Sequence, residues 1–166
     1  NPAVLVKAIK RSTDTTELKS IRTKVMNLLK GYVDRDIPIA LIAKIITEIN
    51  DSCIKKVIDL ALQKMKDTPP VKFAWLAMGS QGRAEQLLHT DQDNALVFQD
   101  VEEKDLAPTT DYFLKLAEHV TKGLHDIGYA YCPANMMGSN PMWCKSLTGF
   151  KKMTSKLSRN VRLTLN

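Results

Sequence analysis

At 166 residues, with 44% hydrophobic and 25% charged side chains, the chain has room for one full domain, and its ordinary globular composition argues against disorder, collagen and coiled coil. Its 24 Lys and Arg against 18 Asp and Glu give a formal charge of +6, which favours polyanions, nucleotides or nucleic acid, without choosing among them. No apolar run approaches the roughly 20 residues that span a bilayer, and the start Asn1-Pro2-Ala3 lacks the charged and apolar segments of a secretory signal.

Asp14 followed by Glu17 has the spacing of a capping box, with Asp in the Ser/Thr role. Leu18, Ile21, Val25, Leu28 and Leu29 then recur at helical spacing, and Gly31 is the expected stop. A second helix is expected from Pro38, a residue suited to a first turn. Its apolar stripe runs through Ile42, Ile45, Ile46, Ile49, Cys53, Val57, Leu60 and Ala61, opposite Lys44, Glu48, Asp51, Lys55 and Asp59. The short Gly31–Ile37 connection predicts an antiparallel pair. Asp67-Thr68-Pro69-Pro70 breaks this pattern.

Two short strands are expected next, Val71–Ala77 and Asn94–Phe98, the second running into an acidic loop, Gln99–Asp105. Thr109 or Thr110 is the expected cap of a helix carrying Phe113, Leu116, Ala117, Val120 and Leu124, closed by Gly128. Tyr129–Cys132 reads as a third strand. A loop punctuated by Pro133, Gly138 and Pro141 then leads to a short helix around Trp143–Met153. The expected units are a helical pair over 14–68, a core over 69–155 and a basic tail over 156–166, the tail a truncated continuation of a longer protein. Cys53, Cys132 and Cys144 are odd in number and widely spaced, so they imply neither a disulfide framework nor a zinc site, and a reduced, cytoplasmic setting is expected.

Chemistry concentrates between Gly79 and Asp93. Gly79 and Gly82 permit close backbone approach. Ser80 offers a hydroxyl and an amide at the expected start of a short helix, where anions are favoured, and Arg83 can grip a phosphate in bidentate fashion. Eleven positions after Ser80, Asp91 and Asp93 project from the same side of a strand entrance, about 7 Å apart at the backbone. Magnesium is characteristically held by one or two carboxylates plus water and substrate phosphates. Each part alone reads more simply as a turn or an Asx cap; the combination between two strands reads as one site. His89, His119 and His125 carry no ligand pattern, and Trp75 and Trp143 read as packing residues.

Gly79-Ser80 followed by Asp91-Gln92-Asp93 resembles the nucleotidyltransferase superfamily pattern. Trp75 through Gln86 and Thr90 through Ala95 are similar to one bacterial branch, the signal-transduction nucleotidyltransferase domain related to the N-terminal part of protein-PII uridylyltransferase, which occurs beside cyclic-nucleotide-binding and CBS modules. Cys132-Pro133 through Met137, Asn140-Pro141 and Trp143-Cys144 share the likeness. The resemblance implies an α+β, polymerase-β-like fold: a small mixed sheet flanked by helices and preceded by the antiparallel helix pair. It implies Gly79 and Ser80 on nucleotide phosphates, with Asp91 and Asp93 as ligands of Mg²⁺ or Mn²⁺; Arg83 as a phosphate contact rests on its chemistry. The implied reaction is attack of a hydroxyl, on a regulatory protein, at the α-phosphorus of an NTP.

Two departures stand out. The superfamily's third carboxylate has no counterpart in Asn160–Asn166, and Ala134-Asn135 stand where relatives tend to have a glycine pair. Weak catalysis by this chain alone is therefore expected. The alternative is a nucleotide-binding regulatory module, weak or inactive in transfer. A nucleic-acid contact through the basic tail is a weaker third reading.

Overall fold

Residues 2–78 and 91–160 are described in the computed structural model of the chain. A helix unanticipated in the sequence reading, α1 (Pro2–Arg11), comes first and buries Val6 and Ile9. The expected cap follows: Asp14 accepts from Glu17 N–H at 2.8 Å, and the Glu17 carboxylate accepts from Thr13 N–H at 3.0 Å. It opens α2 (Thr15–Asp34), which buries Leu18, Arg22, Val25 and Leu29.

Gly31 does not stop this helix. Glycine inside a helix costs only about 1 kcal/mol, and α2 continues for three more residues, with Tyr32 packed against the core. The stop is Asp36, in the left-handed region at φ 55°. Ile37 N–H bonds the Tyr32 carbonyl and Asp36 N–H the Val33 carbonyl, at 3.1 and 3.2 Å, the paired bonds of a Schellman ending. Pro38 then caps α3 (Ile39–Lys64), whose stripe from Ile42 to Ala61 is buried as the spacing predicts. The short connection folds α3 back on α2, and α1 packs against α3.

The sheet is mixed. β1 (Phe73–Ala77) is antiparallel to β2 (Asn94–Phe98), in the register Phe73↔Phe98 to Ala77↔Asn94, and β2 is parallel to β3 (Cys144–Ser146). Every residue of the central strand is buried. The third strand is therefore Cys144–Ser146 rather than Tyr129–Cys132, which contributes a single bridge, Asp91↔Ala130. Three residues hidden behind a Pro141–Trp143 turn carry no alternation of their own, which is why the sequence reads there as helix. The helix itself, α5 (Leu147–Asn160), starts at the following residue.

The long helix α4 (Glu103–Asp126) begins six residues before Thr109, with Pro108 inside it. Glu103 and Asp105 in the first turn favour the positive helix end, so the acidic stretch that reads as loop is partly helix. Its Phe113 stacks on Phe98 at 5.1 Å and lies 5.3 Å from Phe73, fixing α4 over one face of the sheet. Gly128 closes α4 as expected, at φ 112°, with Tyr129 N–H to the Leu124 carbonyl and Gly128 N–H to the His125 carbonyl. The result is an α+β fold with one continuous core from α1 to β3.

Candidate functional site

β1 and the entrance of β2 meet at one sheet end. Met78 N–H donates to the Asp93 carbonyl at 2.6 Å, extending the antiparallel ladder by a step. On the other side, Gln92 N–H donates to the Ala130 carbonyl at 2.7 Å and Asn94 N–H to the Met136 carbonyl at 3.0 Å. The segment Asp91–Asn94 is thus an extended entrance held from both edges. Burial alternates along it: Asp91 exposed, Gln92 buried, Asp93 half-buried, Asn94 buried. A strand's period of two places Asp91 and Asp93 together on one face and Gln92 and Asn94 on the other.

The two carboxylates differ. One oxygen of Asp93, Oδ1, is buried without a hydrogen-bond partner among the described residues, and burial raises the Asp93 carboxyl above its ordinary pKa. A desolvated carboxylate oxygen without a donor is costly, and a hard cation would offset that cost. Asp91 beside it is open to solvent and free to share such a cation. The donor set, two carboxylates with room for water and phosphate oxygens, fits Mg²⁺ or Mn²⁺. Among the described residues no group of three or more His, Cys, Asp and Glu side chains forms a closed metal cage.

The neighbouring loop supports the entrance from the inner side. Asn94 Oδ1 accepts from Gly138 N–H at 2.8 Å. A Cβ at Gly138 would lie 3.0 Å from the Trp75 ring and 3.4 Å from Leu96 N, so any larger residue there requires the ring to give by a few tenths of an ångström. Trp75 is a packing residue as expected, although its indole N–H is buried without a partner. Asn135 adopts φ 56°. Asparagine tolerates this left-handed turn, so the loop turns at Asn135 without a glycine there.

Of the sequence-predicted site residues, Asp91 and Asp93 lie two apart on one face of the strand entrance. Gly79, Ser80 and Arg83 lie outside the described residues, as do His89 and the end of the tail, 161–166. Gln92, Asn94 and Gly138 were missed as site-supporting groups. The available signal was two amides alternating with two acids just before an apolar strand. His125 is exposed and stacks on Tyr131 with ring centroids 4.2 Å apart.

Residues 23–162 match the model of the family described as Putative nucleotidyltransferase DUF294. The chain belongs to this family, and nucleotidyl transfer from an NTP is the general chemistry that membership supports. No curated protein and no solved structure matches the chain. Among the described residues no helix is long and apolar enough to cross a membrane.

Proposed function

We propose that the chain is a divalent-cation-dependent nucleotidyltransferase domain that modifies a hydroxyl on a regulatory protein, in the manner of protein-PII uridylyltransferase. Asp91 and Asp93 would hold Mg²⁺ or Mn²⁺, whose chemistry is to neutralise and orient triphosphate oxygens. Gly79 and Ser80 would bind nucleotide phosphates through backbone amides and a hydroxyl, with Arg83 adding a fixed charge. The acceptor hydroxyl forms a new bond to the α-phosphorus and loses its proton, while the bond to pyrophosphate breaks. A longer parent would place the domain beside cyclic-nucleotide-binding or CBS modules.

The observation that carries this reading is the Asp93 carboxylate: half-exposed beside Asp91, yet with one oxygen buried and unpaired. A carboxylate serving only as a surface charge or a turn cap would point both oxygens to water or to backbone amides. The test is thermal stabilisation by each of the four NTPs with and without Mg²⁺, followed by label transfer from the α-labelled NTP to candidate regulatory proteins. Binding should require the metal and fail in Asp91→Ala and Asp93→Ala. Pyrophosphate release by a longer protein that carries a downstream carboxylate strand would select the enzyme, and metal-dependent binding without release from that longer protein would select the regulatory module. Indifference of binding to both substitutions would end the proposal, and salt-sensitive nucleic-acid binding would replace it with the third reading.

A further inference from the structure

Gln92 and Asn94 are buried polar side chains on a strand whose continuation is apolar, and burying two amides is expensive unless every group is bonded. Here the bonds form a belt. Gln92 Nε2 donates to the Thr121 carbonyl of α4 at 2.8 Å and to the Tyr129 carbonyl at 3.4 Å. Gln92 Oε1 accepts from Asn94 Nδ2 at 3.2 Å, and Asn94 Oδ1 accepts from Gly138 N–H at 2.8 Å. Thr121 Oγ1 meets Ser139 Oγ at 3.3 Å, closing the belt between α4 and the loop.

Resting on the cation-binding reading of Asp91 and Asp93, we propose that Gln92 and Asn94 are positioning residues that lock the register of the β2 entrance and so hold the two carboxylates convergent on one cation. A strand that slips by one residue turns its whole inner set outward. Aliphatic residues at 92 and 94 would satisfy burial at many small offsets. Amides bonded to the Thr121, Tyr129 and Gly138 backbone satisfy it at one. The carboxylates alternate with them, so the inner lock fixes the outer pair. Gln92 and Asn94 act on the carboxylates through the backbone rather than by hydrogen bonds to them; loss of direct hydrogen bonds to metal ligands lowers affinity about 10- to 100-fold, which sets the scale.

The test is binding of Mn²⁺ alone to the 166-residue protein, read from the electron paramagnetic resonance of free Mn²⁺. Gln92→Met keeps length and apolar volume but removes the belt, and its half-saturating Mn²⁺ concentration should rise about tenfold. Partial unfolding alone would lower the number of sites without shifting that concentration. Asn94→Ser breaks the same belt from the other side and should shift it likewise, so it serves if Gln92→Met does not fold. Asp93→Asn is the reference. Loss of Mn²⁺ binding in Asp93→Asn with wild-type affinity in both belt variants overturns the positioning role. Wild-type Mn²⁺ binding in Asp93→Asn overturns the cation reading beneath it, and the positioning role with it.

Discussion

Arg22 and Asp93 are both charges withdrawn from water, and their surroundings treat them differently. Arg22, on α2, is buried. It donates to the Ile127 carbonyl at 3.1 Å, and its guanidinium lies 4.1 Å over the Tyr129 ring. The carbonyl end of α4 and the face of an aromatic ring both favour a cation, so the protein supplies partners for this charge, although Arg22 Nε is buried without a hydrogen-bond partner among the described residues. Asp93 lies half-buried at a sheet end where one oxygen has no donor among the described residues, and burial works against its charge. The first charge is met largely from within the protein. On the proposed reading, the second would be met by a bound cation.

The strongest way to break the comparison is Asp93→Asn. Nucleotidyl transfer should fall on the order of 10³-fold, the equivalent of about 4 kcal/mol of lost charge stabilisation, while stability should not fall. The sign follows from linkage. The folded-state pKa of Asp93 is raised, so the stability it contributes is fully present below its unfolded value, about 3.9, and is lost as pH rises through the folded value. The variant should therefore melt at the same temperature or higher at pH 7 without metal, with the gain vanishing below about pH 4. A lower melting temperature at pH 7 would show that the protein already meets this charge.

Arg22→Met is the converse. It leaves the Ile127 carbonyl unpaired and removes the contact with Tyr129, at an expected cost of about 3 kcal/mol. At 2–4 °C per kcal/mol for a chain of this size, the melting temperature should drop by about 10 °C. Mn²⁺ affinity per folded molecule should stay at wild type. Cys53, whose thiol burial pushes up to about 11, lies in the same core; losing Arg22 also removes the charge that held that thiol down, so faster reaction with a thiol reagent would report opening of the destabilised core.

Gly128→Ala probes the same cluster more gently. Its φ of 112° strains any side chain, and the added Cβ would sit 2.6 Å from an Arg22 terminal nitrogen. The expected loss is about 2 kcal/mol in a urea melt, smaller than for Arg22→Met because the guanidinium can shift and keep its charge partners.

Most of the helical half was legible because its signals are local. The Asp14–Glu17 cap, the Ile42–Ala61 stripe and Gly128 each act within a few residues of themselves. Gly31 misled because the stop depends on where the next residues can bury: packing of Tyr32 and the seat of Ile37 moved it to Asp36. β3 was illegible for the opposite reason, since three residues become a strand only beside β2, and nothing in Cys144–Ser146 announces the partner. Asp91 and Asp93 were singled out by their place after the expected Gly79–Arg83 turn and before an apolar strand, the carboxylate spacing alone reading as an Asx cap. Gln92 and Asn94 were not, because a buried amide is recognised by its bonds to residues 29 to 44 positions away, and sequence spacing does not show those.

Tyr129 tests whether the Arg22 cluster is purely architectural. Its hydroxyl donates to Asn50 Oδ1 on α3, and burial pushes its pKa up to about 12, against the opposing pull of Arg22. Tyr129→Phe keeps the ring under the guanidinium and removes the hydrogen bond, so it should cost about 1 kcal/mol at pH 7. The raised folded pKa means that the wild type's stability from this group is intact below the unfolded value, near 10, and is lost as pH rises toward 12. Above pH 10 the unfolded wild type gains about 1.4 kcal/mol per pH unit by ionising, a gain unavailable to phenylalanine. The variant's deficit should therefore close about one unit higher, near pH 11, and reverse beyond it. Parallel urea-melt curves across that range would mean that Tyr129 ionises in place, with Arg22 stabilising a phenolate, and the cluster would then be a titrating site rather than a fixed cap on α4.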